Sequence, residues 1–179
     1  VGVAFVQAWR NFKMGTMNKD NEDAYKVIKD IEHIFDFSNL DINPSASVDT
    51  LKLLINGKSY FLSEVGSGIS QFILVLANAA MKKPSYILID EPELNLHPSL
   101  QLDFLTTLGS YASEGVLFAT HSIGLARSSA NKIYSIHLID GEKRKISEFE
   151  ATQNLVEFLG ELNFSGYREL GFDKILLVE

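Results

Sequence analysis

The stretch Tyr86-Ile87-Leu88-Ile89-Asp90-Glu91-Pro92, followed about thirty residues later by Leu117-Phe118-Ala119-Thr120-His121-Ser122, decides how this chain is read. Ile87, Leu88 and Ile89 form a continuous apolar run, the pattern of a parallel-sheet strand covered on both faces. Open α/β sheets bind ligands at the carboxyl edge of such strands, and here that edge carries two adjacent carboxylates. The second run ends on Thr120-His121-Ser122, so a neighbouring strand brings an imidazole to the same edge. Taken singly, each has a plainer reading. A carboxylate pair can cap a helix or sit in a solvated turn, and Thr120 and Ser122 can be caps beside a core histidine. Together they are what metal-assisted phosphate hydrolysis needs, with Asp90 to hold Mg²⁺ and Glu91 to orient or deprotonate the attacking water.

Working outward, residues 21–37 carry Ala24, Val27, Ile28, Ile31 and Ile34 at helical spacing and are predicted as an amphipathic helix. Residues 38–49, with Asn43-Pro44-Ser45, are predicted as loop. Two strand-like runs at 51–55 and 58–62 flank Asn56-Gly57, a strong hairpin signal because both residues tolerate positive φ. A hydrophobic helix over 70–81 is entered through Gly66-Ser67-Gly68 and ended by Lys82-Lys83-Pro84. Helices at 98–111 and 122–130 then alternate with strands at 86–89, 115–119, 132–139 and 145–149. That alternation predicts an α/β fold with parallel strands joined by right-handed crossovers. A helix over 152–162 and a buried strand over 174–178 complete the pattern.

Gly57-Lys58-Ser59 has the ending of a phosphate-binding P-loop but fails as one. The motif needs a second glycine five residues before the Gly-Lys pair, where Lys52 stands, and it must precede a helix rather than a strand. No phosphate-cradling loop is present in the sequence.

Composition narrows the function classes. At 179 residues, 46% hydrophobic and 22% charged, the chain suits one ordinary globular domain. A formal charge of −7 argues against a broad nucleic-acid-binding face, although Lys143-Arg144-Lys145 is a local basic patch, so DNA contact is expected elsewhere. With no cysteine there are neither disulfides nor thiolate metal sites, which fits a cytoplasmic setting. The apolar stretches are too short for a membrane span, and both ends read as cuts through a longer protein.

Three stretches, Leu62-Ser63-Glu64-Val65-Gly66-Ser67-Gly68-Ile69-Ser70-Gln71, Ile87 to Pro98, and Ala119-Thr120-His121-Ser122, resemble in order and spacing the signature loop, the Walker B strand with its D-loop, and the switch histidine of ABC-type ATPase heads. The wording Glu91-Pro92-Glu93, Leu96-His97-Pro98 and Thr120-His121-Ser122 is similar to the RecF, SMC and OLD (overcoming lysogenisation defect) branch rather than to membrane transporters. The resemblance implies roles. Asp90 becomes the Mg²⁺ carboxylate, Glu91 the general base and His121 the γ-phosphate sensor. Ser63, Gly66, Ser67, Gly68 and Gln71 become the signature contact to an ATP held by a second subunit, with the helix start offering N–H groups and a positive dipole end. Asn95 and His97 become D-loop positions. Two departures stand out: either Ser63 or Ser67 can supply the signature hydroxyl, and His97 stands where the D-loop usually has Asp.

In ABC heads the P-loop lies well upstream of the signature. Residues 1–171 therefore resemble the C-terminal part of such a head, a mostly parallel sheet flanked by helices with an N-terminal helix and a β-hairpin, expected to bind ATP weakly or not at all alone. Phe172-Asp173-Lys174-Ile175-Leu176-Leu177-Val178-Glu179 resembles the opening strand of a Toprim domain, in which the Glu, here Glu179, serves metal-dependent phosphodiester cleavage. The resemblance thus implies an OLD-like ATP-dependent DNA endonuclease of DNA repair or phage defence, with ATP and Mg²⁺ as cofactors and heads that dimerise across ATP. A RecF- or SMC-like repair ATPase without nuclease, and a non-hydrolysing dimerisation or scaffold module, remain the alternatives.

Overall fold

The computed structural model describes residues 2–45, 49–139 and 143–148. The chain divides into two compact units, one running to Ser129 and one starting at Ala130. In the first, helices α1 (Val3–Met14) and α2 (Asn18–Ile34) lead into an antiparallel sheet of β1 (Leu40–Pro44), β2 (Leu51–Ile55) and β3 (Lys58–Phe61). A 3-10 turn at Leu62–Glu64 then precedes α3 (Ser67–Lys82), β4 (Tyr86–Asp90), α4 (Pro98–Gly109), β5 (Gly115–Ala119) and α5 (Ile123–Ser129). The second unit contains, among its described residues, an antiparallel hairpin of β6 (Tyr134–Ile139) and β7 (Lys143–Glu148). The expected helix over 152–162, the strand over 174–178 and Glu179 lie outside the described residues.

The core gathers around α3, whose Phe72, Ile73, Leu76, Ala77, Ala79 and Ala80 are buried, so the helix is apolar over most of its circumference. Phe72 sits between Phe35 and Phe104, with ring centroids 4.9 and 4.6 Å away. α2 buries Ala24, Val27, Ile28 and Ile31, the stripe expected from its spacing. At the far end of α3, Lys83 adopts left-handed backbone (φ 46°), returns its N–H to Ala79 O, and reaches Asp23 and Asp20 of α2 at 2.8 and 3.2 Å. Those two carboxylates, Asp23 foremost, raise the Lys83 pKa. The Tyr111 hydroxyl donates to Asp30 at 2.6 Å beneath the Lys26 ammonium, and burial together with Asp30 pushes that hydroxyl's pKa up.

α1 goes beyond the expectations, which begin at residue 21. It buries Val6, Trp9, Phe12 and also Lys13. The lysine is tolerated because its three protons are taken by Asp41, by Ile42 O at 3.0 Å and by Asn43 Oδ1 at 2.8 Å, while Trp9 Nε1 donates to the same Ile42 carbonyl at 3.1 Å. Those partners lie on β1, which corrects the loop expected over 38–49. Leu40 and Ile42 alternate with polar residues and point into the core, and Pro44 ends an edge strand, where its missing N–H costs no ladder bond. The hairpin is as expected. Asn56 and Gly57 have φ of 50° and 81°, and the Asn56 side chain also accepts from Ser38 N–H at 2.9 Å, closing the turn against the start of β1.

β4 and β5 pair in parallel with α4 as the crossover, in the register Tyr86↔Gly115 to Asp90↔Ala119. A second correction concerns their cover. Ile87, Ile89 and Val116 pack on the core, but Leu88 and Leu117 face outward, 78% and 56% exposed. An Ile-Leu-Ile run looks identical whether one face or both are covered, which is why the sequence pattern overshoots.

Asp41 carries a pH signature. Burial pushes its carboxyl up, but hydrogen bonds from Lys13, Asn43 and Ile42 N–H, with the Lys13 charge, outweigh this and hold it below the usual carboxylate range. A depressed folded pKa adds stability above the unfolded value of about 3.9 that is lost as pH falls through the folded one. Asp41→Asn should lower stability at neutral pH, because a buried ammonium loses its counter-charge, and should flatten the decline below about pH 4. Urea melts across that range check both. Phe72→Ala should cost about 3–5 kcal/mol in the same assay.

Candidate active site

The parallel register of β4 and β5 brings two loops out of the same sheet edge. Glu91 N–H extends the ladder by one bond to Ala119 O, at 2.8 Å, so the chain leaves β4 directly beside Thr120 and His121. Glu91 has a φ of 45°, an uncommon backbone state for a glutamate, and here it comes before Pro92, where right-handed helical backbone is disfavoured. The result is a carboxylate whose Oε1 lies 3.4 Å from His121 Nε2. Asp90 is exposed beside it, and the His121 side chain is 84% exposed, so neither is a core residue. Asp90, Glu91 and His121, singled out in the sequence, thus meet at one solvent-facing edge.

Glu93, passed over in the sequence, binds the two loops together. Its Oε1 accepts hydrogen bonds from the Thr120 hydroxyl and from His121 N–H, the latter at 3.2 Å. Thr120 Oγ1 in turn accepts from Ser122 N–H at 2.9 Å, and Ser122 Oγ accepts from Leu125 N–H at 3.2 Å, capping α5. The plain cap reading therefore holds for Ser122, while Thr120 is gripped by Glu93. The available signal was the Glu-Pro-Glu spacing, which puts a second acid in the turn after β4.

The signature residues fall on two short elements. Ser63 lies exposed in the 3-10 turn, where Glu64 accepts from Phe61 N–H at 2.7 Å and Ser70 Oγ donates to Leu62 O at 3.1 Å. Gly66 precedes α3 and Ser67 is its first residue. The first helical bond runs from Ser70 N–H to Gly66 O, and no side chain caps the N-terminus, so the N–H groups of the first turn are open to a ligand. Gln71 follows, partly buried on α3. Gly68 has a packing role besides: a Cβ there would stand 2.9 Å from Asn95 O and 3.3 Å from Leu96 Cδ2. The signature turn and the D-loop therefore touch within one chain.

In the D-loop, Asn95 is exposed with a φ of 64°, a state asparagine tolerates. His97 turns out to be the N-cap of α4. Its Nδ1 lies 2.8 Å from Ser99 Oγ and accepts from Ser99 N–H at 3.4 Å, with Pro98 at the first helical position. His97 thus fills at this position the capping role that an Asp could equally take.

Among the described residues no three His, Cys, Asp or Glu side chains cluster as a ready-made metal cage. The donor set still fits Mg²⁺. That ion is commonly held by one or two carboxylates, with waters and substrate phosphates completing its shell, and Asp90 presents one exposed carboxylate next to Glu91. No helix among the described residues is long and apolar enough to cross a membrane.

Comparison with known proteins places the family and the fold. The family model described as an AAA ATPase domain matches residues 9–126. The glutamine transport ATP-binding protein GlnQ of Escherichia coli (strain K12) is 31% identical over 106 residues, which is 56% of this chain and 44% of that protein. The chain therefore spans less than half the length of this curated relative. A solved structure from work on ATP-driven dimerization and DNA-stimulated activation of SMC ATPases superposes with a TM-score of 0.56 at 13% identity, over 76% of this chain and 91% of that one. At that identity the likeness concerns the fold, which is that of an SMC/ABC-type ATPase head.

The two signature glycines should respond differently to alanine. Gly68→Ala forces the Asn95 carbonyl to move and should destabilise by about 1–3 kcal/mol despite the better helix propensity of alanine. Gly66→Ala enters open space with a φ of −57° and should stay within about 0.5 kcal/mol. Denaturant unfolding of the two variants measures the contrast.

Proposed function

The chain belongs to the AAA ATPase domain family, and we propose that it hydrolyses ATP as the C-terminal part of an ABC-type head, in a site shared with a second head. The observation that carries this reading is the β4–β5 edge, where Asp90, Glu91 and His121 converge from residues about thirty apart. Asp90 is the residue that would hold Mg²⁺, which when bound screens phosphate charge. Glu91 accepts the proton of the attacking water, and its left-handed backbone keeps the carboxylate beside the imidazole. His121, exposed on that edge, donates to the γ-phosphate. The open N-terminus of α3, with Gly66, Ser67 and Gly68, and with Ser63 and Gln71 flanking it, meets the phosphates of the ATP bound by the partner head. Asn95 and His97 shape the D-loop between the two. Residues 1–179 carry no P-loop motif, so the segment by itself has little affinity for nucleotide.

At a finer level we read the parent protein as an OLD-like ATP-dependent DNA endonuclease, its heads dimerising across ATP. The Glu-Pro-Glu, Leu-His-Pro and Thr-His-Ser wording supports that branch, and the strand-like sequence over 172–179, ending on Glu179, supports a Toprim-like nuclease domain after it. An SMC-like DNA-repair ATPase without nuclease is the second reading, favoured by the likeness of fold. A non-hydrolysing dimerisation or scaffold module is the third reading, and His97 in the D-loop is the residue that supports it.

In the full-length protein, Glu91→Gln should cut ATP turnover by about 10²–10⁴-fold while ATP-bound dimers accumulate in light scattering. Unchanged turnover would remove Glu91 as the base. The gene should continue after Glu179 with Gly and later encode an Asp-x-Asp pair; sequence lacking both would leave the SMC-like reading in place of the nuclease.

A further inference from the structure

The residue with the least conventional work in this edge is Glu93. It stands in the turn after β4, yet among the described residues its side chain bonds to the loop after β5. One oxygen receives two donors, the Thr120 hydroxyl and the His121 main-chain N–H, and Thr120 passes the restraint on to Ser122 and through it to the cap of α5. The other oxygen, Oε2, is buried with no donor among the described residues. A carboxylate desolvated on one side and doubly loaded on the other is a poor investment for stability alone. Its geometric effect, by contrast, is specific. The imidazole of His121 is exposed and lies 3.4 Å from Glu91 Oε1, and the backbone N–H of His121, two residues past the end of β5, is held by Glu93.

We propose that Glu93 is a positioning residue that sets the switch loop, holding His121 in register with Glu91 across the β4–β5 edge. This deepens the hydrolysis reading of Asp90, Glu91 and His121 and rests on it. Glu93 acts through hydrogen-bond geometry and not through its charge. A neutral acceptor at the same place therefore keeps the function, and loss of the acceptor lets the imidazole drift from the γ-phosphate. Misplacement of about 1 Å at a reacting centre can cost on the order of 10²-fold in rate. Thr120 belongs to the same clamp, as the donor that fills the shared oxygen.

The test compares Glu93→Ala, Glu93→Gln and Thr120→Val with the unaltered full-length protein, in steady-state ATP hydrolysis and in hydrogen–deuterium exchange of the segment around His121. Glu93→Ala should lower kcat by about 10–100-fold with little change in KM for ATP. Exchange at His121 should speed up while the helices of the core keep their protection. Glu93→Gln, which retains an acceptor oxygen, should recover most of the rate and of the protection, and Thr120→Val should fall between. Equal loss in the Gln and Ala variants would overturn the proposal, since the charge itself would then be required. Unchanged exchange at His121 in Glu93→Ala would overturn it as well. The exchange readout needs no turnover. A protein whose Glu91→Gln variant still hydrolyses ATP would thus refute the assigned base while leaving the clamp to be judged on exchange alone.

Discussion

Everything at the candidate site follows from one pairing, the parallel register that sets Asp90 opposite Ala119. Parallel strands end at the same edge by construction, so two loops far apart in sequence are released side by side. A shift of one residue in either strand would turn Ile87, Ile89 and Val116 away from the core and point the wrong residues at the edge. The packing of those three partly buried side chains thus fixes which residues stand at the edge beyond them. Glu91 N–H adds one bond past the last strand residue, and Glu93 reaches back across the gap, so the pairing is extended into the loops by polar contacts.

The remainder of the first unit holds the start of α3 against the loop that follows β4. Phe72, wedged between Phe35 and Phe104, ties α3 to the end of α2 and to α4. Lys83 fastens its far end to α2, and Ser70 fastens its near end to the 3-10 turn. With both ends held, the first turn lies hard against the Asn95 carbonyl, close enough that position 68 accepts no side chain. The antiparallel sheet and α1 form the outer frame of this arrangement, joined through the buried Lys13 ammonium and its oxygen partners.

What could be read in the sequence was local, and what could not depended on partners distant in the chain. Asn56-Gly57 announces its hairpin because the two positive φ values are properties of those residues alone. The strand at Gly115–Ala119 and the helix start at Pro98 are equally self-contained. β1 was hidden by Asn43-Pro44-Ser45, a turn signal that falls at its very end and outweighs the brief alternation of Leu40 and Ile42. α1 was obscured by Lys13, whose place on the buried face makes sense only once Asp41 and Asn43 are in position to receive it. At the site, the acidic pair and the histidine were legible from strand endings. The reach of Glu93 to a loop 27 residues later was not, since an acid in a turn normally faces water.

The backbone of Glu91 has one more consequence. A left-handed conformation there suits glycine or asparagine better than glutamate, and such states cost on the order of 1 kcal/mol or more when a longer side chain must occupy them. With the base role proposed for Glu91, thermostability and turnover pull position 91 in opposite directions. Selection for resistance to heat alone would favour Gly or Asn at this position and yield a sturdier, idle protein. On that proposal, a glutamate in so awkward a conformation is where the fold accepts backbone strain for the sake of reactivity.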